Sequence, residues 1–529
     1  MDGLALRLAD PRRDALALVR RAALRGVADL RPRSLGSALS FVSVAVFCDG
    51  VRRVGFFVWG IFLLLGCARE AHAKARGLHA ARQRSRKGES VRFGAAFSPT
   101  ATASGRRSMY DCFPMPSKRP STPPSSHVGL VLAGGSARAA YEVGVVRYVL
   151  EDVARTLGRD VPIDVISGTS AGSINAVMLA AHADKPAARG VMLAERWTKL
   201  ELERVVRPSP RGILPVVGRM FGRPLRLDSL AAKRGGMFDP SGIEAIVREA
   251  VPFGAIAKHM REGLLHALSI STTHVASGRT TVFVQRRDPG LPRWGSDPTM
   301  VARAAQIEAQ HALASAAVPL LFPAVEIDGE FYCDGGLRQN VPLSPARRLG
   351  AAGLIVVNPR YIREESPAPA LAGERERVYP DPLFVVGKAM NALLLDRIEN
   401  DIRRLQKLNA VLAAGTRRFG PGFVDALNDE LGRTGDEGAL RPLDVVYVRA
   451  SEDIGVLAAD YARSAEFAKR VPGILGRVMR RIVEGESEAD FLSYVMFDGA
   501  FAGRLIEIGR SDARARHEEL VRFFAKRIA

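Results

Sequence analysis

The sequence predicts an α/β fold with a mainly parallel sheet, because a strand–turn–helix pattern occurs twice in succession. Val128–Leu132 is a short apolar run, which is typical of a strand buried on both faces. A glycine turn follows, and valines then recur every four residues in a helix predicted over residues 138–157. A second strand over residues 161–167 leads through a glycine into a helix over residues 171–183. Consecutive units of this kind predict parallel strands with right-handed crossovers.

The rest of the chain continues this pattern and then becomes helical. After about residue 380 apolar residues recur at helical spacing, with one long amphipathic stretch over residues 385–412. We therefore expect a central α/β domain over residues 128–360 and a mainly helical C-terminal region over residues 361–529. The further predicted strands cover residues 265–272, 280–284, 354–357 and 443–448.

The composition limits the class of protein. The chain has 529 residues, of which 47% are hydrophobic and 25% are charged, as in ordinary globular proteins. These values exclude a wholly disordered chain, a collagen and a polytopic membrane protein. The four cysteines are far apart and form no CxxC pair, so neither a disulfide framework nor a cysteine zinc site is predicted.

The basic charge is concentrated in the N-terminal quarter. Residues 1–127 hold 22 Lys and Arg against 8 Asp and Glu, whereas residues 128–529 hold 54 against 48. We expect residues 1–127 to be a basic, partly apolar extension and a Pro/Ser/Arg-rich linker, largely disordered. Such a tail is either simply solvated or faces an anionic surface. It does not make the body of the protein a nucleic-acid binder, and no nucleic-acid partner is expected.

Two apolar runs lie within this extension, at residues 35–48 and 54–67. Each would be about 21 Å long as a helix, which is shorter than the roughly 30 Å core of a bilayer. The second run follows two arginines and ends at Cys67, like a lipoprotein-type export signal, but it lies far from Met1. We expect a cytoplasmic or peripheral membrane protein, with export as the alternative and Met109 as a candidate start.

The first chemical motif follows the second predicted strand. Gly168, Thr169, Ser170, Ala171 and Gly172 fit the pattern G-x-S-x-G of a nucleophile elbow. A serine at a sharp strand-to-helix turn exposes its Oγ, and the following helix directs N–H groups at developing negative charge. The alternative is a plain glycine-rich turn.

The second motif is the glycine-rich turn after the first strand. Gly134, Gly135 and Ser136 offer backbone N–H groups to an oxyanion, and Arg138 follows them. The chain has neither a G-x-x-x-x-G-K-[ST] pattern nor G-x-G-x-x-G, so a nucleotide site is not predicted.

The third motif supplies a carboxylate. Asp334, Gly335 and Gly336 form an Asp-Gly-Gly sequence, which by itself usually marks a turn. Beyond Asp334 the only histidine is His517, in a charged C-terminal helix, so a Ser–Asp dyad fits the chain better than a Ser–Asp–His triad. The other histidines of the ordered part lack metal-ligand spacing and are interpreted as structural or surface residues. We expect neither a metal nor another cofactor.

These motifs, in this order, resemble those of the patatin-like phospholipase family in its bacterial form. Residues 130–146 (LVLAGGSARAAYEVGVV) look like that family's opening strand, loop and helix. Residues 315–342 (SAAVPLLFPAVEIDGEFYCDGGLRQNVP) look like its second signature, with Asn340 and Pro342. The resemblance covers about residues 128–347. It implies a three-layer α/β/α sandwich with a mainly parallel sheet, followed by a helical C-terminal extension.

The resemblance also implies roles for individual residues. Ser170 would be the nucleophile and Asp334 its base, in a metal-free serine hydrolase of lipid acyl esters such as a phospholipase A or lysophospholipase. The implied oxyanion loop consists of Gly134, Gly135, Ser136 and Arg138. The implied elbow and carboxylate loop contain Gly168, Thr169, Ala171, Gly172, Gly335 and Gly336.

Two positions depart from the family pattern. Glycine usually stands where this chain has Ser136 and Ala139. A non-glycine residue in a left-handed conformation costs roughly 1–2 kcal/mol, although its N–H donor is retained. These departures leave open a catalytically weak lipid-binding or regulatory protein. A lipid acyltransferase also stays open, because no residue decides between acyl transfer and hydrolysis. The expected partners are an acyl-lipid substrate and an anionic membrane surface, which the basic tail or the helix with Arg477, Arg480 and Arg481 would contact.

Overall fold

One mixed sheet contains the nine strands found among the residues that this computed structural model describes. The strands are β1 (Val128–Leu132), β2 (Val165–Thr169), β3 (Ala267–His274), β4 (Thr280–Arg286), β5 (Met300–Ala304), β6 (Val325–Ile327), β7 (Glu330–Asp334), β8 (Gly353–Asn358) and β9 (Asp444–Arg449). Their order is β5–β4–β3–β2–β1–β8–β9, with β7 paired to β3 and β6 to β7. The neighbouring strands β3, β2, β1, β8 and β9 run parallel. Strands β4 and β7 each pair antiparallel with β3, and β6 pairs antiparallel with β7.

The described residues are 127–209, 236–288, 290–291, 294, 298–362, 382–394, 398–433, 439–483 and 489–528. They belong to one compact unit. The predictions for the basic extension, its two apolar runs, the export signal and Met109 lie outside the described residues.

Helices cover both faces of the sheet. They are α1 (Ala140–Tyr148), α2 (Ala171–Ala181), α3 (Ala188–Thr198), α4 (Leu202–Val205), α5 (Ser241–Ala250), α6 (Phe253–Arg261), α7 (Ala309–Ser315), α8 (Leu343–Arg348), α9 (Pro382–Leu394), α10 (Ile398–Phe419), α11 (Phe423–Glu430), α12 (Ile454–Arg463), α13 (Ala465–Arg470), α14 (Ile474–Ile482), α15 (Asp490–Val495), α16 (Gly499–Ala515) and α17 (His517–Ile528). None of these helices combines the length and the apolar character needed to cross a bilayer.

Side chains that alternate along the strands belong to two apolar cores, one on each face of the sheet. In β1, Leu130 and Leu132 face the larger core, which also contains α1, α2, α3 and α16, while Val131 faces the smaller one. The smaller core contains residues of α8 and Ile402 of α10. Because successive side chains of a strand point to opposite faces, the sheet is covered on both sides. This arrangement confirms the predicted α/β/α sandwich.

The predicted strand–helix units and the parallel pairing of their strands are confirmed, with small shifts in the element ends. The first helix extends from α1 through a π-helical turn to Leu157 and ends at Gly158, which has a φ of 68°. The second strand begins at Val165 rather than 161, and the carboxylate of the residue before it, Asp164, accepts a hydrogen bond from the N–H of Val128. The amphipathic stretch over residues 385–412 belongs to two helices, α9 and α10, and residues 395–397 between them lie outside the description.

The C-terminal region is mainly helical, as predicted, yet it also contributes to the sheet. Its strand β9 pairs in parallel with β8 along the whole of β8. On the larger core, α16 packs along α1, the helix that follows the glycine-rich loop. The central domain and the C-terminal region therefore share one sheet and one core.

Candidate active site

Ser170 occupies a sharp turn between β2 and α2. Its φ is 54° and its ψ is −132°, a conformation that L-residues rarely adopt. The N–H of Ser170 donates to Ser315 Oγ over 2.8 Å, and Ser315 Oγ donates to the carbonyl of Ser271 over 2.7 Å. These bonds hold the strained backbone in place. The turn thus has the geometry of a nucleophile elbow.

The residues around Ser170 explain the small side chains of the motif. A Cβ atom at Gly172 would lie 2.4 Å from the carbonyl oxygen of Ala133, so only glycine allows α2 to approach the end of β1 this closely. Gly168 and Thr169 are the last two residues of β2, and Thr169 Oγ1 donates to the carbonyl of Gln339 over 3.1 Å. Ala171 begins α2.

Asp334 meets Ser170 because β2 and β7 pair with the same edge of β3, one directly after the other. In the register of the sheet, Thr169 pairs with Ser271, and Asp334 pairs with the next residue of β3. Ser170 Oγ donates to Asp334 Oδ2 over 2.6 Å, and both side chains are buried. The sequence placed this carboxylate on a loop, whereas it is the last residue of β7.

The second oxygen of the carboxylate is fixed by the Asp-Gly-Gly turn. The N–H of Gly336 donates to Asp334 Oδ1 over 2.7 Å, within a short helical turn that begins at Gly335. Burial raises the pKa of Asp334 to about 7, although the hydrogen bonds from Ser170 and Gly336 oppose this effect. This carboxylate is therefore a stronger base than an exposed aspartate.

The glycine-rich loop passes directly beside Ser170. A Cβ atom at Gly134 would lie 3.0 Å from Ser170 Cβ and 2.1 Å from Asn340 Oδ1. The N–H of Gly134 donates to the carbonyl of Asn340, and Asn340 Nδ2 donates back to the carbonyl of Gly134, each over 3.0 Å. In the described part of the chain, no acceptor is found for the N–H groups of Gly135 and Ser136. They are thus available to an oxyanion.

An apolar pocket opens at these two loops. Ser136 and Ser170 lie at one side of it, and its empty volume is about 740 Å³, counting the part open to solvent. The remaining wall is almost entirely hydrocarbon and aromatic ring. It comprises Ala171, Ile174, Met178, Leu193, Arg196, Trp197, Leu200, Val205, Ile243, Ile246, Val247, Ala250, Val251, Ala316, Phe322 and Phe497.

Comparison with known families identifies the central part of the chain. Residues 130–347 match the model of the family described as patatin-like phospholipase. This segment is a patatin-like phospholipase domain. In general terms, such a domain implies a lipid acyl hydrolase with a lipid substrate. A comparison with curated proteins gives no match.

Solved structures add little to this result. The chain resembles VipD from Legionella pneumophila at 13% identity over 68% of this chain and 67% of that one, with a TM-score of 0.25. It resembles the type III effector protein ExoU at 15% identity over 70% and 77% of the two chains, with a TM-score of 0.17. TM-scores this low carry no argument about this chain.

Arg138 of the patatin-like domain has a different set of contacts from the expected ones. Its guanidinium binds Ser493 Oγ over 2.7 Å and Asp490 Oδ1 over 3.0 Å, and lies 4.2 Å from the centre of the Tyr494 ring. Its backbone N–H donates to the carbonyl of Gly135. Arg138 therefore joins the end of the oxyanion loop to α15 of the C-terminal region.

The histidines of the described chain have structural partners. His517 contacts Tyr148 Oη over 3.0 Å and Thr156 Oγ1 over 3.3 Å at the start of α17. His311 caps α7 together with Glu308. No group of His, Cys, Asp or Glu suited to a metal ion occurs among the residues that the structure describes.

Two residues of the site were not assigned a role from the sequence. Ser315, quoted above only as part of a signature, holds the N–H of Ser170. Phe497 lines the pocket from outside the patatin-like domain. A serine at the end of helix α7 and a phenylalanine in the C-terminal helical region have no spacing that marks them, because tertiary contacts alone bring them to the site.

Proposed function

We propose that this chain is a serine carboxylic ester hydrolase of lipids, of the phospholipase A or lysophospholipase type, with Ser170 and Asp334 as its catalytic dyad. The observation that carries the proposal is the 2.6 Å hydrogen bond from Ser170 Oγ to Asp334 Oδ2 at the edge of an apolar pocket. An apolar pocket of this kind suits an acyl chain, whose burial is favourable by about 0.8 kcal/mol per methylene.

The reaction proceeds through an acyl-enzyme. Asp334 accepts the proton of Ser170 as Oγ attacks the ester carbonyl, and the N–H groups of Gly135 and Ser136 stabilise the resulting oxyanion. When the C–O bond of the ester breaks, Asp334 returns the proton to the leaving alcohol. Water then attacks the acyl-enzyme, Asp334 takes its proton, and the fatty acid leaves as Ser170 regains a proton.

Replacement of the nucleophile tests this proposal. We expect Ser170→Ala to lose release of fatty acid from phosphatidylcholine and from p-nitrophenyl esters by at least about a thousandfold, since no other group can form the acyl-enzyme. Ser167→Ala is the matched control, because Ser167 is a buried serine of β2, three residues before Ser170, and its hydroxyl bonds to Ser269 Oγ. It should keep its activity.

A fluorophosphonate probe and product analysis separate the alternatives. The hydrolase proposal predicts labelling of Ser170 and free fatty acid as the main product. An unlabelled Ser170 in folded protein, or equal turnover by Ser170→Ala and the unsubstituted chain, would refute the proposal. Transfer of most acyl groups to added glycerol or lysophospholipid would replace hydrolysis by acyl transfer.

We also propose that α14 contacts the lipid surface. On this helix Ile474 is 74% exposed and Val478 is 51% exposed, while Arg477 and Arg481 are exposed on the same stretch. The helix starts beside α4, since a Cβ atom at Gly473 would lie 3.1 Å from Glu203, and Val205 at the end of α4 lines the pocket. Exposed apolar side chains flanked by arginines suit an anionic membrane surface.

A further inference from the structure

One wall of the pocket comes from outside the patatin-like domain. Phe497, between α15 and α16, packs against Trp197 of α3, with ring centroids 6.4 Å apart and the ring planes inclined by 20°. Both residues line the pocket, and both are more than nine-tenths buried. The two aromatic rings therefore form one continuous surface that an acyl chain would meet.

The position of Phe497 is fixed by its neighbours in the chain rather than by the pocket. The carboxylate of Asp498 accepts from Arg470 Nε over 2.9 Å and from Tyr461 Oη, and it caps α16 through the N–H of Ala500. The N–H of Gly499 donates to the carbonyl of Leu200 over 2.9 Å. A Cβ atom at Gly499 would lie 1.9 Å from the carbonyl of Thr198, so this segment is held close to the end of α3.

The side chain of Trp197, like that of Phe497, is fixed by hydrogen bonds around it. Its indole Nε1 donates to Asn175 Oδ1 over 2.8 Å, and Asn175 Nδ2 donates to the carbonyl of Ala139 and to Glu142 Oε2. A bulky ring with a satisfied buried hydrogen bond does not swing aside at low cost. The aromatic surface is therefore a fixed boundary of the pocket.

The pocket leads away from the nucleophile along α2. Ala171, Ile174 and Met178 recur at helical spacing on the face that lines it, and they span about 10 Å of helix. Asn175, which holds Trp197, lies between the second and third of these residues. An acyl chain bound to Ser170 and running along α2 would thus pass the aromatic pair some way beyond its ester carbon.

We propose that Phe497, together with Trp197, sets the length of acyl chain that this enzyme accepts, so that the C-terminal region determines its acyl specificity. This inference rests on the proposed hydrolase function. Removing the ring of Phe497 would add space that is continuous with the pocket, whereas Phe322 and Ile243 separate the pocket from a second, more polar cavity. Long chains should gain from the added space, and short chains should be little affected.

The test uses the full chain and a series of p-nitrophenyl esters from butyrate to palmitate. We expect Phe497→Ala to raise the ratio of kcat/KM for palmitate over that for butyrate by about tenfold or more. Phe497→Leu should shift the ratio in the same direction by less, and Phe497→Trp in the opposite direction. Phe501→Leu is the matched control: this ring is equally buried in α16, lies outside the pocket and stacks on Tyr461. It should leave the ratio unchanged.

A binding measurement makes the inference independent of turnover. In the Ser170→Ala background, calorimetry should show that Phe497→Leu strengthens binding of palmitate relative to octanoate. If the chain hydrolyses no ester and this shift is still seen, the proposed hydrolase function fails and the role of Phe497 stands. Folded Phe497 variants with the original chain-length order in both measurements, or a shift of equal size in Phe501→Leu, would overturn the inference.

Discussion

Two serines with positive φ angles lie in the two loops at the candidate site. Ser136 has a φ of 51° and Ser170 a φ of 54°, whereas Ala139, the other departure from the family pattern, is helical with a φ of −65°. The two departures therefore have different consequences. Ser136 is strained in a conformation that glycine adopts freely, and Ala139 is not strained.

A pair of glycine substitutions tests this difference. Ser136→Gly should raise the free energy of unfolding by up to about 1 kcal/mol, since it removes the strain at a small cost in chain entropy. Ala139→Gly should lower the free energy of unfolding by about 1 kcal/mol. Urea denaturation of both variants measures the two effects. Equal destabilisation by both substitutions would contradict the strain at Ser136.

The raised pKa of Asp334 predicts a pH dependence of activity. Because Asp334 must be ionised to accept a proton, kcat/KM for a soluble ester should fall as the pH drops through about 7. The midpoint should change little with temperature, as is typical of a carboxyl group, whereas an imidazole midpoint falls on warming. His517→Ala should retain the same profile. If His517→Ala no longer showed this fall in kcat/KM at low pH, or if the midpoint depended strongly on temperature, the base would be a histidine instead.

The same shift predicts how Asp334 affects stability. Its folded-state pKa of about 7 lies above the ordinary value of 3.8, so the folded state holds the proton more tightly than the unfolded chain does. The contribution of Asp334 to stability is therefore complete below about pH 4 and is lost as the pH rises through 7. This pattern is typical of a buried base that is kept for chemistry rather than for stability.

Among the elements, α15 and the oxyanion loop are joined by buried charges. Asp490 pairs with Arg138 and also with Lys388 of α9, over 2.7 Å. These two cations hold the pKa of Asp490 below its ordinary value despite its burial. Breaking such a pair leaves an uncompensated buried charge, which is costly. Through this pair, the helices of the C-terminal region stabilise the loop that follows β1.

The proposed membrane contact of α14 depends on the arginines of this helix. The double substitution Arg477→Gln and Arg481→Gln should weaken binding to anionic vesicles by about 30-fold at low salt, since each basic residue near the surface contributes about 1 kcal/mol. Soluble-ester hydrolysis should stay unchanged. Vesicle co-sedimentation over a range of salt concentrations measures the effect, which should shrink as the salt rises.

A matched control is available on the opposite face of the sheet. Arg403 and Arg404 are exposed on α10, which packs on the smaller core, whereas α14 packs on the larger one. The corresponding double substitution of these residues to Gln should leave vesicle binding intact. Equal losses in both double variants would mean that overall charge, and not α14, governs binding.

For the molecule as a whole, local sequence patterns predict the central strands of the sheet. The strands at its edge form through contacts between distant parts of the chain. The apolar run of β1 coincides with the observed strand, and the motifs singled out Ser170 and Asp334, whose side chains the fold brings within hydrogen-bond distance. Strands β5, β6 and β7 were not predicted, because they are short and half-exposed and lack an apolar run.

The direction of Arg138 was equally hidden from the sequence. A basic residue next to a glycine-rich loop fits an oxyanion site, yet its guanidinium pairs with a carboxylate more than 350 positions further along the chain. Phe497 reaches the pocket in the same way. Neither contact has a local signal, since each depends on how the C-terminal helices return to the sheet.

This return of the chain determines when the enzyme becomes complete during its synthesis. Chains emerge from the ribosome N-terminus first, at about 5–20 residues per second. Ser170 and Asp334 therefore appear well before β9, Asp490 and Phe497. A nascent chain that already contains Ser170 and Asp334 still lacks the partner of β8, the anchor of Arg138 and the aromatic wall of the pocket. The candidate site is therefore finished only after β9, α15 and the segment that contains Phe497 have folded back onto the sheet.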